Sequence, residues 1–254
     1  MLRKYIVLAL LVFSIPSCYS QKLHALFYVN EQEQGREVDR RADMKNMYNF
    51  WGDVANNIGY KYSPVKCTPN TFTASNINSK INGLNVERND IVVFYYSGHG
   101  YNDESDIWPT LNLLDKNYRQ IDIMKKLKNV SRNAKLVLCI ADCCNKQLTS
   151  AYDFTASYDA MDDNDNALKN LFTGFKGKKS IMMSASKQGQ YSWSHLQYGA
   201  YYGNCFRQVL SRLSTTHPTW DVVLNDISKL TLKYTEGRQK PQFNITQSGD
   251  PFED

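Results

Sequence analysis

Two side chains suited to nucleophilic chemistry follow two predicted strands of the chain. His99 comes just after the buried run Asp90–Tyr96, and Cys144 comes just after the buried run Ala134–Ala141. Right-handed crossovers bring the carboxyl ends of neighbouring parallel strands to one rim of a sheet, where functional residues gather. Because a thiol is mostly protonated near neutral pH, it needs an adjacent imidazole to stabilise the thiolate or remove the proton. The sequence therefore predicts a reactive pair at this rim, at a spacing of 45 residues.

Glycines on both sides of the histidine favour the same interpretation. Gly98 and Gly100 permit tight backbone turns and the close approach of a substrate. The backbone amides of Gly100 and Cys144 could together hold the oxyanion of an acyl-transfer intermediate. Taken singly, His99 is an ordinary loop histidine and Cys144 is a buried apolar side chain, as cysteine often is. Their joint position at consecutive strand ends favours the chemical role.

Predicted strands and helices alternate along the chain, and these elements must position the pair. Uninterrupted β-branched and aromatic runs indicate strands buried on both faces, whereas apolar residues spaced by three and four indicate helices. The predicted strands are Leu23–Val29, Tyr60–Val65, Asp90–Tyr96, Ala134–Ala141, Ser180–Ser184 and Pro241–Ile245. The predicted helices are Val38–Ile58, Thr73–Leu84, Ile121–Leu127, Ala200–Leu213 and Asp221–Tyr234. This alternation indicates one α/β domain with a mainly parallel sheet covered by helices on both faces.

Composition excludes several other classes of protein. The 254 residues are 42% hydrophobic and 22% charged, which is typical of a globular domain and not of a disordered or polytopic membrane protein. A formal net charge of +5 without a block of like charges gives no indication of nucleic-acid binding. The cysteines do not follow zinc-ligand spacing, so the sequence predicts no metal site of that kind.

The first twenty residues have the layout of an export signal. Basic residues precede the apolar run Tyr5–Ile15, and small residues lie one and three positions before a cut after Ser20. The run is too short to span a bilayer, which takes about 20 apolar residues. A bacterial lipobox is an alternative, in which Cys18 would be acylated as a lipid anchor, and a buried first helix is another. We expect an exported chain that is periplasmic, extracellular or lipid-anchored, without a membrane span.

Three segments in order resemble the caspase-like cysteine peptidases, a clan that includes caspases, metacaspases and clostripain-like enzymes. They are Phe94-Tyr-Tyr-Ser-Gly-His-Gly100, Ile140-Ala-Asp-Cys-Cys-Asn145, and Met183 to Trp193 with Gly199-Ala-Tyr-Tyr202. The spacing of 45 residues agrees with the separation of about 50 known for caspases. The resemblance, which runs from about Leu23 to Phe243, implies a bacterial exported member with metacaspase-like basic specificity.

The resemblance also implies an architecture and a division of the chain. The fold expected is a three-layer sandwich with a central, mainly parallel sheet of about six strands. Residues 1–20 are then the signal peptide and 21–254 the peptidase domain. Within that domain, 21–148 is similar to the caspase large subunit and 180–254 to the small subunit. Residues 149–179 between them are predicted mainly as a surface loop.

The same resemblance assigns roles to individual residues. Cys144 matches the nucleophile because it stands two positions after an acid or amide, here Asp142. His99 matches the general base and acid, and Gly100 with the amide of Cys144 matches the oxyanion donors. Cys143 matches a small structural residue of the strand-end turn. The partner implied is a peptide or protein substrate, and the dyad implies no cofactor.

Substrate preference can be inferred from charge at the positions that match the pocket. Caspases that cut after Asp hold its carboxylate with arginines, and Ser194 stands where one of these is expected. The resemblance places Asp142, Asp39 and Ser184 at the substrate, so we expect an acidic pocket without arginine that accepts Lys or Arg. Two alternatives stay open, since Asp39 could instead cap a helix and Asp142 could shape the nucleophile loop.

The chain departs from the metacaspase pattern after the nucleophile. Asn145-Lys-Gln147 replaces the usual His-Ser-Gly, and Lys146 could stabilise a thiolate or repel a basic substrate. No third member of the catalytic group can be identified. An acidic stretch follows, consisting of Asp153, Asp159, Asp162, Asp163 and Asp165. Calcium activation through this stretch is an alternative, but it lacks the glycine and terminal Glu of a calcium loop, so a solvated loop is preferred.

Two further functional classes remain as hypotheses. A catalytically inactive caspase-like binding or scaffold module would explain the fold without the chemistry, although the intact Cys144 and His99 weigh against it. A thiol-dependent acyl transferase or redox protein would use the same pair. The position of Cys143 beside Cys144 is the one feature that favours redox chemistry.

Overall fold

A six-stranded sheet runs through the centre of the molecule in the computed structural model, which describes residues 21–104, 106–146, 165–213 and 218–247. The strands, numbered in chain order, are β1 (Lys22–Val29), β2 (Lys61–Lys66), β3 (Ile91–Ser97), β4 (Gly100–Tyr101), β5 (Thr110–Leu111), β6 (Tyr118–Arg119), β7 (Leu136–Asp142), β8 (Lys179–Ser184), β9 (Ser194–His195), β10 (Gly199–Ala200) and β11 (Gln242–Gln247). The central sheet has the order β11-β8-β7-β3-β1-β2. Every neighbouring pair is parallel except β11 with β8. This confirms the predicted α/β class and the mainly parallel sheet of six strands.

Helices cover both faces of the sheet and complete three layers. They are α1 (Glu37–Asn57), α2 (Ala74–Asn82), α3 (Gln120–Val130), α4 (Asp165–Thr173), α5 (Tyr201–Ser211) and α6 (Trp220–Tyr234). Apolar side chains of α1, α4, α5 and α6 form one buried cluster with the sheet, and those of α2 and α3 form the other. Each of the five helices predicted from apolar spacing is present, with ends that differ by a few residues.

The strand β3 shows why the central strands are uninterrupted apolar runs. Val93 and Tyr95 point to the cluster that contains α1, whereas Phe94 and Tyr96 point to the cluster that contains α2. All four side chains are fully buried. Burial of a large apolar side chain contributes about 1.5–3 kcal/mol, so β3 is anchored from both sides. The loop that follows it therefore leaves from a fixed position.

The first two turns of α1 carry charged residues into the interior. Asp39, Arg40 and Asp43 are all buried, whereas other charged residues of the same helix are exposed. Asp39 lies in the first turn, and the residue that precedes the helix, Arg36, makes no side-chain cap. The helix is followed by Gly59, whose φ of +76° is a conformation that glycine adopts without strain.

The prediction of a surface loop over 149–179 is wrong in its second half. Helix α4 occupies Asp165–Thr173, and four of its apolar residues are buried: Ala167, Leu168, Leu171 and Phe172. The many polar residues around this short stretch obscured its helical spacing. Residues 147–164 lie outside the described residues, and so do Asp153, Asp159, Asp162 and Asp163 of the acidic stretch.

Two small sheets extend the loops at the carboxyl rim and were not predicted. β4, β5 and β6 form one of them, and β9 and β10 form the other. Each strand has only two residues, which is too short for an alternating pattern. The proposed export signal and Cys18 lie outside the described residues. Within the described ranges, no helix is both long and apolar enough to cross a bilayer.

Candidate active site

The ends of β3 and β7 bring two loops to the same rim of the sheet. The strands pair in parallel, and Ser97 at the end of β3 lies opposite Asp142 at the end of β7. His99 follows two residues after the first strand end, and Cys144 follows two residues after the second. The prediction that these two strands are neighbours is therefore confirmed.

The two loops are in direct contact through Gly100. A methyl group on this residue would lie 2.4 Å from Sγ of Cys143 and 2.8 Å from the carbonyl oxygen of Cys144. Such distances are far inside van der Waals contact, so a larger side chain would force the loops apart. Glycine is required here by the close approach of the β7 loop, which we define as residues 143–146.

Sγ of Cys144 is partly accessible and contacts the backbone of Ser192. The amide of Ser192 donates to the sulfur at 3.4 Å, and the carbonyl oxygen of the same residue lies 3.7 Å away. Burial raises the pKa of the Cys144 thiol, and the Ser192 hydrogen bond and the charges of Arg40 and Arg36 offset this only in part. The thiol is consequently the resting form, and a base is needed to turn it into a nucleophile.

The ring of His99 is half-exposed, while its backbone is held firmly. The Tyr96 hydroxyl donates to the His99 carbonyl oxygen at 2.5 Å, and the Asn112 amide donates to the same oxygen at 3.0 Å. Nε2 of the ring lies 2.9 Å from Oε1 of Glu33. The close partner of the imidazole is thus a buried carboxylate, while the partner of the sulfur is the Ser192 backbone.

Asn145 anchors the β7 loop by neutral hydrogen bonds. This fully buried side chain donates from Nδ2 to the carbonyl oxygen of Ile107 at 2.8 Å and accepts at Oδ1 from Asn102 at 3.0 Å. Its backbone amide donates to the Gln190 carbonyl oxygen at 3.0 Å. The residue that departs from the metacaspase pattern therefore fixes the loop beside the sulfur. The next residue, Lys146, places Nζ 4.9 Å from the centre of the Tyr191 ring.

Three buried aspartates lie behind the rim. Asp142 accepts from the amide of Gly203 at 3.0 Å and from the hydroxyl of Ser192 at 3.2 Å. Asp43 accepts from the amide of Ala200 and from the hydroxyl of Ser97, both at 2.6 Å. Burial raises the pKa of Asp142, and the neighbouring charge of Asp43 raises it further.

Burial likewise raises the pKa of Asp43, with the charge of Arg40 opposing the shift. The third aspartate, Asp39, accepts from the hydroxyl of Ser194 at 2.7 Å. These carboxylates belong to α1 and to the end of β7, which are distant in sequence. They nevertheless form one acidic cluster, defined here as Asp39, Asp43 and Asp142.

Two arginines reach this acidic cluster. Arg36 pairs with Asp39, at 2.9 Å from Nε, and also donates to the Ser194 hydroxyl. Arg40 is buried and donates to Oε2 of Glu33 at 2.8 Å, and it lies 3.6 Å from Asp43. The expectation of a pocket without arginine is therefore wrong, because the loop between β1 and α1 supplies Arg36 to the position of Ser194.

The family of the chain follows from its sequence as a whole. The family model of the caspase domain matches residues 33–252. This chain belongs to the caspase-domain family. Members of that family are cysteine peptidases, which supports a caspase-like peptidase that acts on protein substrates. No curated protein matches the chain.

Solved structures share the fold of this caspase-like chain. Caspase-1 from Spodoptera frugiperda has a TM-score of 0.57 and 12% sequence identity, with 90% of this chain and 89% of that chain covered. The protein GSU0716 from Geobacter sulfurreducens has a TM-score of 0.54 and 14% identity, with 91% and 95% covered. At these identities the likeness concerns the fold alone.

The pocket residues expected of a caspase-like chain are all buried. Asp39 and Asp142 lie in the acidic cluster, and Ser192 and Ser194 cover them with hydrogen bonds. Ser184 is also fully buried, and its hydroxyl donates to the carbonyl oxygen of Ser186 at 2.9 Å. Ser184 is thus engaged within the fold and does not present its hydroxyl to a substrate.

Sequence reasoning missed Glu33, Arg36, Arg40 and Asp43. A signal for one of them was present, because Asp43 follows Asp39 by four residues and so lies on the same face of α1. Arg36 and Arg40 have the same spacing, but nothing in the sequence indicates that their partners come from other elements. In the described part of the chain, no group of three or more His, Cys, Asp or Glu side chains is arranged to hold a metal ion.

Proposed function

We propose that the chain is a cysteine endopeptidase in which Cys144 is the nucleophile and His99 is its general base. The observation that carries this proposal is the parallel pairing of β3 and β7, with Ser97 opposite Asp142 and Gly100 in contact with the Cys143 side chain and the Cys144 carbonyl oxygen. This arrangement keeps the loops of the thiol and the imidazole together. A dyad of this kind needs no cofactor, and we propose none.

The chemistry would proceed by acyl transfer. The imidazole takes the proton of Sγ, and the sulfur attacks the carbonyl carbon of the scissile bond to form a tetrahedral oxyanion. We assign the amides of Gly100 and Cys144 as donors to that oxyanion. The imidazolium then gives its proton to the leaving amine, and water hydrolyses the thioester. Because burial favours the protonated thiol, the proton transfer to His99 is the step on which reactivity depends.

We further propose that the scissile bond follows Lys or Arg. Among the described residues, the four carboxylates of Glu33 and the acidic cluster face two guanidinium groups, those of Arg36 and Arg40. A substrate cation would supply the missing positive charge and allow Asp43 and Asp142 to ionise. Arg36 already makes a guanidinium–carboxylate contact of the kind proposed for the substrate, because it pairs with Asp39 beside the Ser194 hydroxyl.

Access to the acidic cluster would require movement of the segment 192–194. The Ser192 hydroxyl covers Asp142 and the Ser194 hydroxyl covers Asp39. When this segment shifts, a basic side chain can replace both hydroxyls as a partner. Binding of the cation would also release protons from the Asp43–Asp142 pair, so KM for a basic substrate should fall as pH rises.

The dyad is tested with the full chain on fluorogenic peptides that end in Arg, Lys, citrulline or Asp, with and without calcium. Cys144→Ala should abolish hydrolysis, a loss on the order of 10³-fold or more. The matched control is Cys143→Ala, which removes the neighbouring buried thiol and should retain activity within about tenfold. Equal inactivity of the wild-type chain and Cys144→Ala would favour a caspase-like binding module.

The specificity is tested by Asp142→Asn. We expect the variant to lose about tenfold or more in kcat/KM for the Arg and Lys peptides, because a charge-assisted pair is removed. Citrulline has the shape of arginine without the charge and should be a poor substrate for both proteins. The matched control is Asp90→Asn, another buried carboxylate, which contacts His24 at the amino ends of the strands. Preferential cleavage after Asp would contradict the proposed specificity.

We also propose export, with the first twenty residues as the signal. The support is the basic start and the apolar run Tyr5–Ile15 in the sequence. Mass spectrometry of the amino terminus in a bacterial host would separate cleavage after Ser20 from acylation of Cys18. An intact amino terminus in the cytoplasmic fraction would contradict export.

A further inference from the structure

The loop between β1 and α1 carries a buried carboxylate to the half-exposed ring of His99. Glu33 is 6% exposed, and its Oε1 lies 2.9 Å from Nε2 of His99. Its loop is fixed by backbone hydrogen bonds, from the Glu33 amide to the Asn30 carbonyl oxygen at 3.0 Å and from the Arg36 amide to the Glu33 carbonyl oxygen at 2.8 Å. The carboxylate is therefore presented to the ring by an ordered turn.

The second carboxylate oxygen is held by a buried arginine. Arg40 donates from Nε to Oε2 of Glu33 at 2.8 Å, and from Nη1 to the hydroxyl of Ser97 at 3.0 Å. Ser97 ends β3, the strand that leads to His99. The contacts from Ser97 through Arg40 and Glu33 to His99 thus begin and end at the carboxyl end of β3. This circuit fixes the position of Oε1 relative to the ring.

We propose that Glu33 is a positioning residue for His99, which rests on the function proposed above. Its carboxylate would hold the ring by Nε2–H and leave Nδ1 with the free electron pair that takes the proton of the Cys144 thiol. The products of this step are a thiolate and an imidazolium, and Glu33 remains a carboxylate throughout. When the proton passes from Nδ1 to the leaving amine, the ring returns to its neutral form with Nε2–H still directed to Glu33.

The charge of Glu33 suits this role. Burial alone would raise the pKa of Glu33, but the contact with His99 and the charge of Arg40 outweigh burial and lower the pKa to about 2. The carboxylate is therefore ionised at every pH at which a thiol peptidase works. An adjacent negative charge stabilises an imidazolium more than a neutral imidazole. Glu33 also raises the pKa of the Cys144 thiol, but this effect is smaller than those of burial, Ser192, Arg40 and Arg36. Because its contact with the ring is direct, Glu33 would favour the thiolate–imidazolium state.

The kinetic test compares wild-type protein with Glu33→Gln, which keeps the shape and removes the charge. We expect kcat to fall on the order of tenfold or more with KM nearly unchanged, since the group does not touch substrate. The pH profile of kcat/KM should move to lower pH. The charged or titratable groups near Glu33 are His99, Arg40, Cys144 and Tyr96. Glu31→Gln, in the same loop, is the matched control and should leave both readouts unchanged.

A double-variant comparison separates positioning from a structural role. If Glu33 acts through the ring, the Glu33→Gln change should have no further effect on turnover once His99 is replaced by Ala. The same fold-loss in the wild-type and His99→Ala backgrounds would overturn the proposal, and so would wild-type kcat and pH profile in Glu33→Gln.

A readout without peptide cleavage keeps this proposal distinct from the proposed function. The rate at which iodoacetamide alkylates Cys144, located by mass spectrometry, reports the thiolate directly. Glu33→Gln should slow this reaction between pH 5 and 7 by about 3- to 10-fold, in the same direction as His99→Ala. If the wild-type chain cleaves no peptide, the proposed function fails, while unchanged alkylation of Glu33→Gln overturns the positioning role alone.

Discussion

On one side of the candidate active site the β7 loop is held by neutral hydrogen bonds, whereas on the other side the β1–α1 loop and the start of α1 are held by ion pairs. Asn145 bonds to the Ile107 carbonyl and to Asn102, and Ser186 donates to the Cys143 carbonyl oxygen at 3.1 Å. Across the rim, Glu33 and Asp43 share the guanidinium of Arg40. Neutral bonds fix the sulfur independently of pH, while the ionic side responds to protonation. The difference implies that, in the proposed peptidase, shape places Cys144 whereas charge places His99 and the substrate.

The largest effect on stability should come from replacing Arg40, which pairs with both carboxylates of the ionic side. Arg40→Met leaves Glu33 and Asp43 buried without their shared counter-charge, so we expect a loss of about 3–5 kcal/mol in the free energy of unfolding. Urea denaturation at pH 7 measures it. The matched control is Arg41→Met at the next, exposed position, which should stay within about 0.5 kcal/mol. Equal stability of the two variants would show that the ionic side does not hold the loop.

Acid should weaken the ionic side through Glu33. Because the pKa of Glu33 is lowered to about 2 in the folded chain, its contribution to stability is complete above its unfolded pKa of about 4.3 and is lost as pH falls toward 2. The pH-dependent part is on the order of 2–3 kcal/mol. The free-energy difference between wild type and Glu33→Gln, followed by denaturation from pH 6 to 2, should shrink over this window. A difference that is constant with pH would refute this account.

The side held by neutral hydrogen bonds should be disrupted by steric overlap. Gly100→Ala places a methyl group 2.4 Å from Sγ of Cys143, which we expect to cost about 1–3 kcal/mol of stability. The displaced loops should also lower kcat/KM by on the order of 10²-fold, since misplacement by about 1 Å has that effect. Gly83→Ala is the control, because its methyl group would lie no closer than 3.3 Å to the Ser79 carbonyl oxygen and 3.8 Å to that of Lys80. The stability loss should stay constant from pH 6 to 2, the window over which the loss caused by Glu33→Gln shrinks.

The smallest effect should come from the one lysine of the β7 loop. Lys146 is exposed, and its Nζ lies over the Tyr191 ring, while the charges that lower the pKa of Cys144 are those of Arg40 and Arg36. Lys146→Ala should change stability by no more than about 1 kcal/mol. Its rate of Cys144 alkylation at pH 6 should stay within about twofold of wild type. A larger decrease would show that the side with neutral hydrogen bonds also carries a functional charge.

The contrast between the neutral side and the ionic side also explains which features could be predicted from the sequence. β3 and β7 are uninterrupted apolar runs, so their existence, their parallel pairing and the residues at their ends follow from local pattern and from the rules for crossovers. The ionic side could not be predicted in this way. Arg36 meets Ser194 across 158 residues, and that contact requires the residue before α1 to pack against β9.

Particular residues show where more could have been extracted. Asp39 and Asp43 share a face of α1 by their spacing of four, which pointed to a second buried acid near the first. Helix α4 was hidden because its nine residues are embedded in a polar region. Glu33 carried no signal at all, since a single glutamate in a loop is usually solvated and only the turn at Asn30–Arg36 directs it inward.

The burial of the cysteines determines which thiol an oxidant reaches first. All five cysteines of the described residues are unpaired, and Cys67, Cys139, Cys143 and Cys205 are buried, so only Cys144 meets solvent. A peroxide or a glutathione disulfide will therefore react first with the proposed nucleophile, forming a sulfenic acid or a mixed disulfide. Hydrolytic capacity in an oxidising compartment would then follow the supply of reductant, without any change in the fold.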